Sequence, residues 1–398
     1  MTDTGLAVTI QPTAVAALME AAHTPHELAA YRGALTPRVL DAPENEIAAL
    51  TKGAALHDLG WLRRVEVRGE DRFRWLSGMV TNSVNDLFPN TGAWNLVLNA
   101  QGRIQGDLTV WREGEELSPV RRNAPAKGDP LTGTPFAGES GLELEIAADQ
   151  YEKLMAHLDH FIIMDDVELI PVGAEKLGEP GSVVAVGLTG PQADEVLERV
   201  GLPVLSHPLM GKSVEWNGID LRILRGYGVL APHYEFWLPS ARLGKLWTCL
   251  RAGGAASVGC ASLEKLRIAE AIPVYGIDIV ERDLPQETSQ MRALHFNKGC
   301  YLGQEIVERI RSRGSVHRHL RPLELTGPVP ESGTELFEQG GAQAGQITSV
   351  AELPLAGGVR VFALGMVRAE AEARNETFAY TAGTVAGTAR ILAEPPEL

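Results

Sequence analysis

Apolar and polar residues alternate with period two over Leu62 to Arg68, which predicts a strand. The period then changes. Glu70 to Met79 places Phe73 and Leu76 on one face of a helix. Two further alternating runs, Trp94 to Asn99 and Arg103 to Trp111, flank Ala100-Gln101-Gly102 and read as a hairpin. Similar units follow downstream: a helix from Asp149 to Phe161 and a strand from Asp166 to Ile170, then a strand from Ser182 to Leu188 and a helix from Pro191 to Val200. Asp220 to Leu224 and Glu235 to Leu238 read as strands, and Arg242 to Ala252 and Ser262 to Ala269 as helices. Before residue 53 the chain is Ala-rich, with short helices expected at 14–19 and 44–50 and Asp41 as an N-cap candidate. Two stretches interrupt the pattern. Residues 118–140 have no periodicity and read as a surface loop inserted between strands; Leu177-Gly178-Glu179-Pro180-Gly181 reads as a boundary. From about residue 319, short strands and Gly-rich turns dominate, the grammar of a small barrel or sandwich. The domains expected are a helical lead at 1–52, α+β units at 53–178 and 179–318, and a β-barrel at 319–398.

Period two also sorts the second hairpin strand into faces. Ile104, Gly106, Leu108 and Val110 share one; Gln105, Asp107, Thr109 and Trp111 share the other. A carboxylate on the same face as an indole would suit a flat heterocycle with N–H groups. An aspartate on an exposed edge strand gives the same pattern.

Composition narrows the class. The net charge of −15 argues against general nucleic-acid binding, which favours a basic footprint. No run approaches the roughly 18 apolar residues that span a bilayer, and no basic n-region precedes the first apolar stretch, so a soluble cytoplasmic protein is expected. Three cysteines, Cys249, Cys260 and Cys300, without CxxC spacing, cannot build a four-thiolate metal site or a complete disulfide framework. Dinucleotide, P-loop, zincin and α/β-hydrolase motifs are absent.

Candidate chemistry concentrates in Lys298-Gly299-Cys300-Tyr301-Leu302-Gly303-Gln304-Glu305. Tyr301 to Arg311 reads as a helix with Glu305 and Arg309 at i,i+4. That would set Cys300 at a helix N-terminus beside the Lys298 cation, a setting that favours a thiolate. A free cysteine is equally often a small buried hydrophobe. Arg309, Arg311, Arg313, Arg318 and Arg321, with His317 and His319, crowd the next stretch. They read either as a receiver for an anionic tail or acidic partner, or as a solvated face.

The octapeptide, continuing to Arg309, resembles the signature of the YgfZ family, folate-binding proteins related to the glycine-cleavage T-protein (aminomethyltransferase). Four further segments resemble T-protein elements in the same order: 53–59, the hairpin Asn99 to Leu108, Leu188 to Ala193, and Leu263 to Gly276. The resemblance implies an α+β cloverleaf of three domains with a C-terminal β-barrel. It implies tetrahydrofolate in the central opening, with 53–178 as the folate-binding domain. It further implies a role in assembly or repair of iron–sulfur clusters in client enzymes, which supports tRNA modification indirectly. Partners would be folate and iron–sulfur client or scaffold proteins, with neither nucleic acid nor membrane bound directly. On this reading Cys300 is the reactive thiol and Lys298 its cation. Asp107, Gln304, Glu305 and Arg309 would hold the folate, and no metal site is expected. The alternative is a tetrahydrofolate-dependent aminomethyl or one-carbon transferase. Against it, the hairpin has Gly106-Asp107 where the T-protein pairs aspartates, and the Gly-Glu element expected after Tyr227 is missing.

Overall fold

The computed structural model describes residues 10–114, 141–173, 182–355 and 357–398. The loop expected at 118–140 and the boundary at 177–181 lie outside them. The predicted strand Leu62–Arg68 holds to the residue, and the hairpin is realised as Thr91–Leu98 and Ile104–Arg112. The helices appear as Arg72–Met79, Ala148–Asp159, Ala193–Val200, Leu243–Ala252 and Cys260–Ala269.

The two α+β units share one 11-stranded sheet. Its order is Ala256–Val258, Ala55–Asp58, Val183–Thr189, His233–Pro239, Ile219–Arg225, Met210–Trp216, Thr91–Leu98, Ile104–Arg112, Leu142–Ala147, Leu62–Arg68 and Glu168–Pro171. The halves meet at a single bridge, Met210 to Thr91. One apolar core lies under the first half, around Leu56, Val186, Ile223 and Phe236; another lies under the second, around Val65, Leu76, Val110 and Leu144. Both faces of the strand Leu142–Ala147 are buried. Its leucines face a core, while Glu143 and Glu145 belong to a polar layer between the halves.

That layer is ionic. Arg222 Nη1 lies 2.6 Å from Glu113 and 2.8 Å from Glu143, and Arg64 Nη2 lies 2.7 Å from Glu143. The Arg64 guanidinium also stacks over Trp237 at 4.9 Å. Mutual pairing is what makes burial of these charges tolerable.

Residues Arg318–Thr326, Glu335–Phe337, Gln343–Leu355, Gly358–Arg368, Thr377–Ala382 and Val385–Ile391 close the expected barrel. The lead is not purely helical. A hairpin, Glu27–Tyr31 and Ala34–Val39, joins its two helices, and its turn brings Tyr31 and Arg32 to the centre of the molecule. Its Thr36 hydroxyl, with Thr13, caps the buried Asp58 carboxylate. The N-cap of the helix Pro43–Lys52 is Ala42; Asp41 instead accepts from the Ala42 amide and Asn45.

Candidate functional site

The Cys300 segment forms a docked loop rather than the start of a helix. The helix runs Gln304–Arg313, with Gly303 as its left-handed N-cap (φ +81°), so Cys300 lies four residues ahead of it. The thiol is exposed. The Lys298 ammonium has a different task from the one its position suggests. It donates to the carbonyls of Ser77, Val80 and Asn82 at 2.7, 2.6 and 2.8 Å, at and beyond the end of the helix Arg72–Met79. Burial pushes its pKa down to about 7, and the carbonyls replace the water it has lost. Lys298 thus pins the loop to the first domain, helped by the Leu302 amide on the Gly78 carbonyl.

The loop also sits on the turn of the hairpin Thr91–Leu98/Ile104–Arg112. A Cβ on Gly303 would come within 2.6 Å of the Asn99 oxygen, and one on Gly102 within 2.8 Å of Ile306. Gln304 serves this loop, its Oε1 accepting from the Tyr301 amide. Glu305 and Arg309 are exposed one turn apart on the helix. The basic cluster is dispersed by carboxylates from distant parts of the chain: Arg318 pairs with Asp283 and Glu287, and Arg321 and His319 with Glu372. Arg311 leans on Phe296 and Glu308.

Asp107 is half-buried, and its indole partner is Trp94 rather than Trp111. Trp94 Nε1 donates to Asp107 Oδ2 at 2.9 Å and Gln150 Nε2 donates to Oδ1 at 3.0 Å. Trp111 shares the face of the strand but lies four residues on, buried among Leu59, Leu224 and Trp237. From Trp94 a stack leads inward. The Arg292 guanidinium lies 4.7 Å from the Trp94 ring and 3.5 Å from Tyr227. Burial lowers its pKa to about 10, against the pull of Tyr227, Asp107 and Glu270.

Tyr227 belongs to the wall of a cavity of about 200 Å³ between the sheet halves, the lead hairpin and the helix Cys260–Ala269. Tyr31 and Trp61 add aromatic surface, meeting edge to face at 5.8 Å, with Arg32 over Trp61. Its polar lining includes Glu145, Glu235, Glu270, His57, Thr189 and His233, with Arg32 and Arg267 as cations. None of Asp107, Cys300, Lys298, Gln304, Glu305 and Arg309 lines it. Burial raises Glu270 to about 7 although it accepts from the Val229 and Leu230 amides. The two imidazoles stack 5.7 Å apart and flank the Thr189 hydroxyl, at 2.9 Å from His57 Nε2 and 2.6 Å from His233 Nδ1.

These histidines are neutral: burial lowers His57 to about 3 and His233 to about 4. A folded-state pKa below the unfolded value contributes nothing above about pH 6.5. As pH falls further, the unfolded chain takes up a proton that the folded chain refuses, and stability is lost. For His57 the loss at pH 5 is about 2 kcal/mol. Relative to wild type, His57→Gln should therefore gain about that much in unfolding free energy between pH 7.5 and pH 5. Denaturant titrations at the two pH values measure it; an unchanged difference would mean that His57 titrates as a free histidine.

No local pattern in the sequence marks these cavity groups as a set. Glu145 and His57 come from two strands, His233 and Glu235 from a third, and Glu270 from the end of a helix. The nearest signal was Leu-Glu-Leu-Glu at 142–145, a strand that alternates glutamate with leucine. The other two thiols are apart from this chemistry: Cys260 is buried, which pushes it up to about 12, and Cys249 packs against the first core.

The architecture is that of a T-protein-like α+β protein. The crystal structure of glycine cleavage system aminomethyltransferase T from Bartonella henselae superposes with a TM-score of 0.80 at 19 % identity, covering 98 % of this chain and 99 % of that one. Residues 14–129 match the GCVT N-terminal domain and residues 317–397 the CAF17 C-terminal beta-barrel domain. An aminomethyltransferase of Rubrobacter xylanophilus is 25 % identical over 335 residues, 82 % of this chain and 79 % of its own length. A chloroplastic transferase-named protein of Arabidopsis thaliana is 24 % identical over 317 residues, 78 % of this chain; the chain spans 64 % of that protein's length. The chain is a GcvT-related member of the YgfZ/CAF17 family. Among the described residues no helix is long and apolar enough to cross a membrane.

Proposed function

We propose that the protein binds tetrahydrofolate in the central cavity and uses the exposed Cys300 to support assembly or repair of iron–sulfur clusters in client proteins. The observation carrying this reading is the seat of the cysteine loop on the turn of the hairpin that bears Asp107. The thiol's loop and the strand of Asp107 are then joined by direct contact. The cavity residues fit the ligand. Tyr31, Trp61 and Tyr227 offer aromatic faces to a pterin, and carboxyl groups suit its N–H edge. Beside the cavity, Asp107 has acceptor capacity beyond its two donors, and Arg292 offers a cation between Trp94 and Tyr227. Bound tetrahydrofolate would supply the nitrogen pair that carries one-carbon units. Lys298 acts as a positioning residue for the loop. Glu305, Arg309 and Arg311 form an exposed surface for a client or an acidic tail. A single thiolate cannot hold a cluster, so any cluster is shared with the partner.

Calorimetric titration tests the ligand. Wild type should bind tetrahydrofolate, and Asp107→Ala should weaken binding on the order of ten- to a hundredfold, as expected for loss of a charge-assisted hydrogen bond. Equal affinity for both proteins would remove Asp107 from the site. Cys300→Ala should keep the fold and the affinity yet fail to restore iron–sulfur enzyme activity in a deletion strain. Full complementation by this variant would falsify the role of the thiol. The aminomethyltransferases among the relatives support a second reading, one-carbon transfer. Formation of 5,10-methylenetetrahydrofolate from an aminomethyl donor, with turnover, would establish it.

A further inference from the structure

Three arginines gather at the seam between the barrel and the segment that follows the helix Cys260–Ala269. Arg282 comes from that segment, Arg318 from the barrel strand Arg318–Thr326, and Arg368 from the end of Gly358–Arg368. All three line a cavity of about 290 Å³ that shares no residue with the central one. Arg318 and Arg368 stand directly opposite each other in the register of their strands. Like charges so placed repel unless something neutralises them. Arg318 is neutralised from within the chain, by Asp283 at 2.6 Å and Glu287 at 3.1 Å. Arg368 instead reaches the neutral Gln343 amide oxygen at 3.2 Å. Arg282 acts on Asp283 at longer range and, among the described residues, pairs with no carboxylate.

The acids close by are committed elsewhere. Asp278 holds Arg267, the Val274 amide and two hydroxyls; Asp283 holds Arg318 and the Val280 amide; Glu281 pairs with Lys153. Glu335 accepts from Gln343 Nε2 at 2.8 Å, so that amide stands between it and Arg368. In a chain of net charge −15, two guanidinium groups without an acidic partner on one cavity wall favour an anionic occupant. The rest of the lining selects the kind of anion. Ile277, 51 % exposed, gives apolar contact together with Val280 and Met366. Gln346 gives its N–H to the Gly333 carbonyl at 2.8 Å and keeps acceptor capacity on its oxygen. An inorganic anion has no use for an apolar wall. A polypeptide uses every part: carboxylates for the arginines, aliphatic side chains for the wall, and a backbone N–H for the Gln346 oxygen.

The seam also lies close to the thiol's loop. Arg103 donates to the Arg282 carbonyl, and the Ile104 amide donates to the Asp283 carbonyl at 3.2 Å. Gly102, the residue before, is where the helix that follows Cys300 packs on the hairpin. The cavity wall and the cysteine loop therefore abut the same turn. We propose that this seam is a docking site for an acidic, extended segment of a partner protein, its carboxylates paired with Arg282 and Arg368, and that docking holds the partner beside the Cys300 loop. What happens to the partner there rests on the reading of Cys300 given above; the binding itself does not.

Fluorescence anisotropy on the full chain tests the site with a labelled, end-blocked peptide of alternating Glu and Leu. Wild type should bind it, and less tightly as salt rises. The double variant Arg282→Gln/Arg368→Gln should bind at least about tenfold more weakly, as expected for loss of two charge-assisted contacts. It should keep the wild-type denaturation midpoint and tetrahydrofolate affinity, and should lower iron–sulfur enzyme activity in a deletion strain. Arg390→Gln, which removes a barrel arginine paired with Glu324 and absent from the cavity wall, should stay within about twofold of wild type. Equal peptide affinity in wild type and the double variant, or equal binding of a Lys–Leu peptide, would overturn the docking site. Displacement of the peptide by inorganic phosphate at matched ionic strength would mark a small-anion site and overturn it as well. Arginine-dependent peptide binding alongside full complementation by Cys300→Ala would uphold the docking site and remove the thiol's role.

Discussion

Replacing Gly303 with alanine is expected to lift the Cys300 loop off the hairpin and to cost roughly 3 kcal/mol or more. Two penalties add. Gly303 is in the left-handed region, where a Cβ costs about 1–2 kcal/mol. The new methyl would also stand 2.6 Å from the Asn99 oxygen and 2.9 Å from Gly102 Cα, both backbone atoms without a flexible end to move aside. Gly201 is the control. It has φ +73° at the end of Ala193–Val200, and a Cβ there meets nothing within 4 Å, so Gly201→Ala should show the backbone penalty alone. Denaturant unfolding compares the two costs, and the rate of Cys300 modification by a disulfide reagent reports the loop. Gly303→Ala should speed modification and Gly201→Ala should not. Equal costs and unchanged rates would show that the loop does not depend on its seat. If ligand site and thiol form one unit, Gly303→Ala should also weaken tetrahydrofolate binding.

The second large effect lies where the barrel joins the rest of the molecule. Asp278 has a fully buried side chain that accepts from Arg267 Nη1 at 2.6 Å, the Val274 amide at 3.0 Å, and the Thr348 and Ser349 hydroxyls at 2.6 Å each. Arg267 in turn reaches Ser349 at 3.1 Å and pairs with Glu264. One carboxylate thus fastens the helix Cys260–Ala269, the segment after it and the barrel strand Gln343–Leu355. Asp278→Ala strips these donors of their acceptor and leaves the Arg267 charge short of a buried partner. The expected cost is about 3–5 kcal/mol, the range for breaking one side of a buried pair. It should appear as a lower denaturation midpoint, and as separate unfolding of the barrel if the rest stays folded. A loss below about 1 kcal/mol would contradict the clamp.

How much of this was legible beforehand depends on range. The alternation in Leu62–Arg68 and in the Asp107 hairpin needed only neighbouring residues, because side-chain direction in a strand is set locally. The barrel was likewise visible as short strands with Gly-rich turns. The lead hairpin Glu27–Tyr31/Ala34–Val39 was not, since Ala-rich strands without strong alternation carry little local signal. Trp111 shows the limit of a face argument. It shares the face of Asp107 along the strand, yet it is buried in another cluster, and the neighbouring strand supplies Trp94 instead.

By itself the sequence determined the α+β units, the closing barrel, the cysteine loop as the most reactive-looking segment, and the family to which the chain belongs. Each is encoded in residues close together along the chain, or in an ordered set of short segments. Tertiary structure alone decided what the charges do. Lys298 donates to three carbonyls because its loop lies against the end of the helix Arg72–Met79. Arg318 and Arg321 were neutralised by carboxylates tens of residues away. Glu145 and Glu235, ninety positions apart, became neighbours, and burial raises both above the ordinary carboxylate range. Coulombic and burial energies depend on distance in space, and only the folded chain sets that distance.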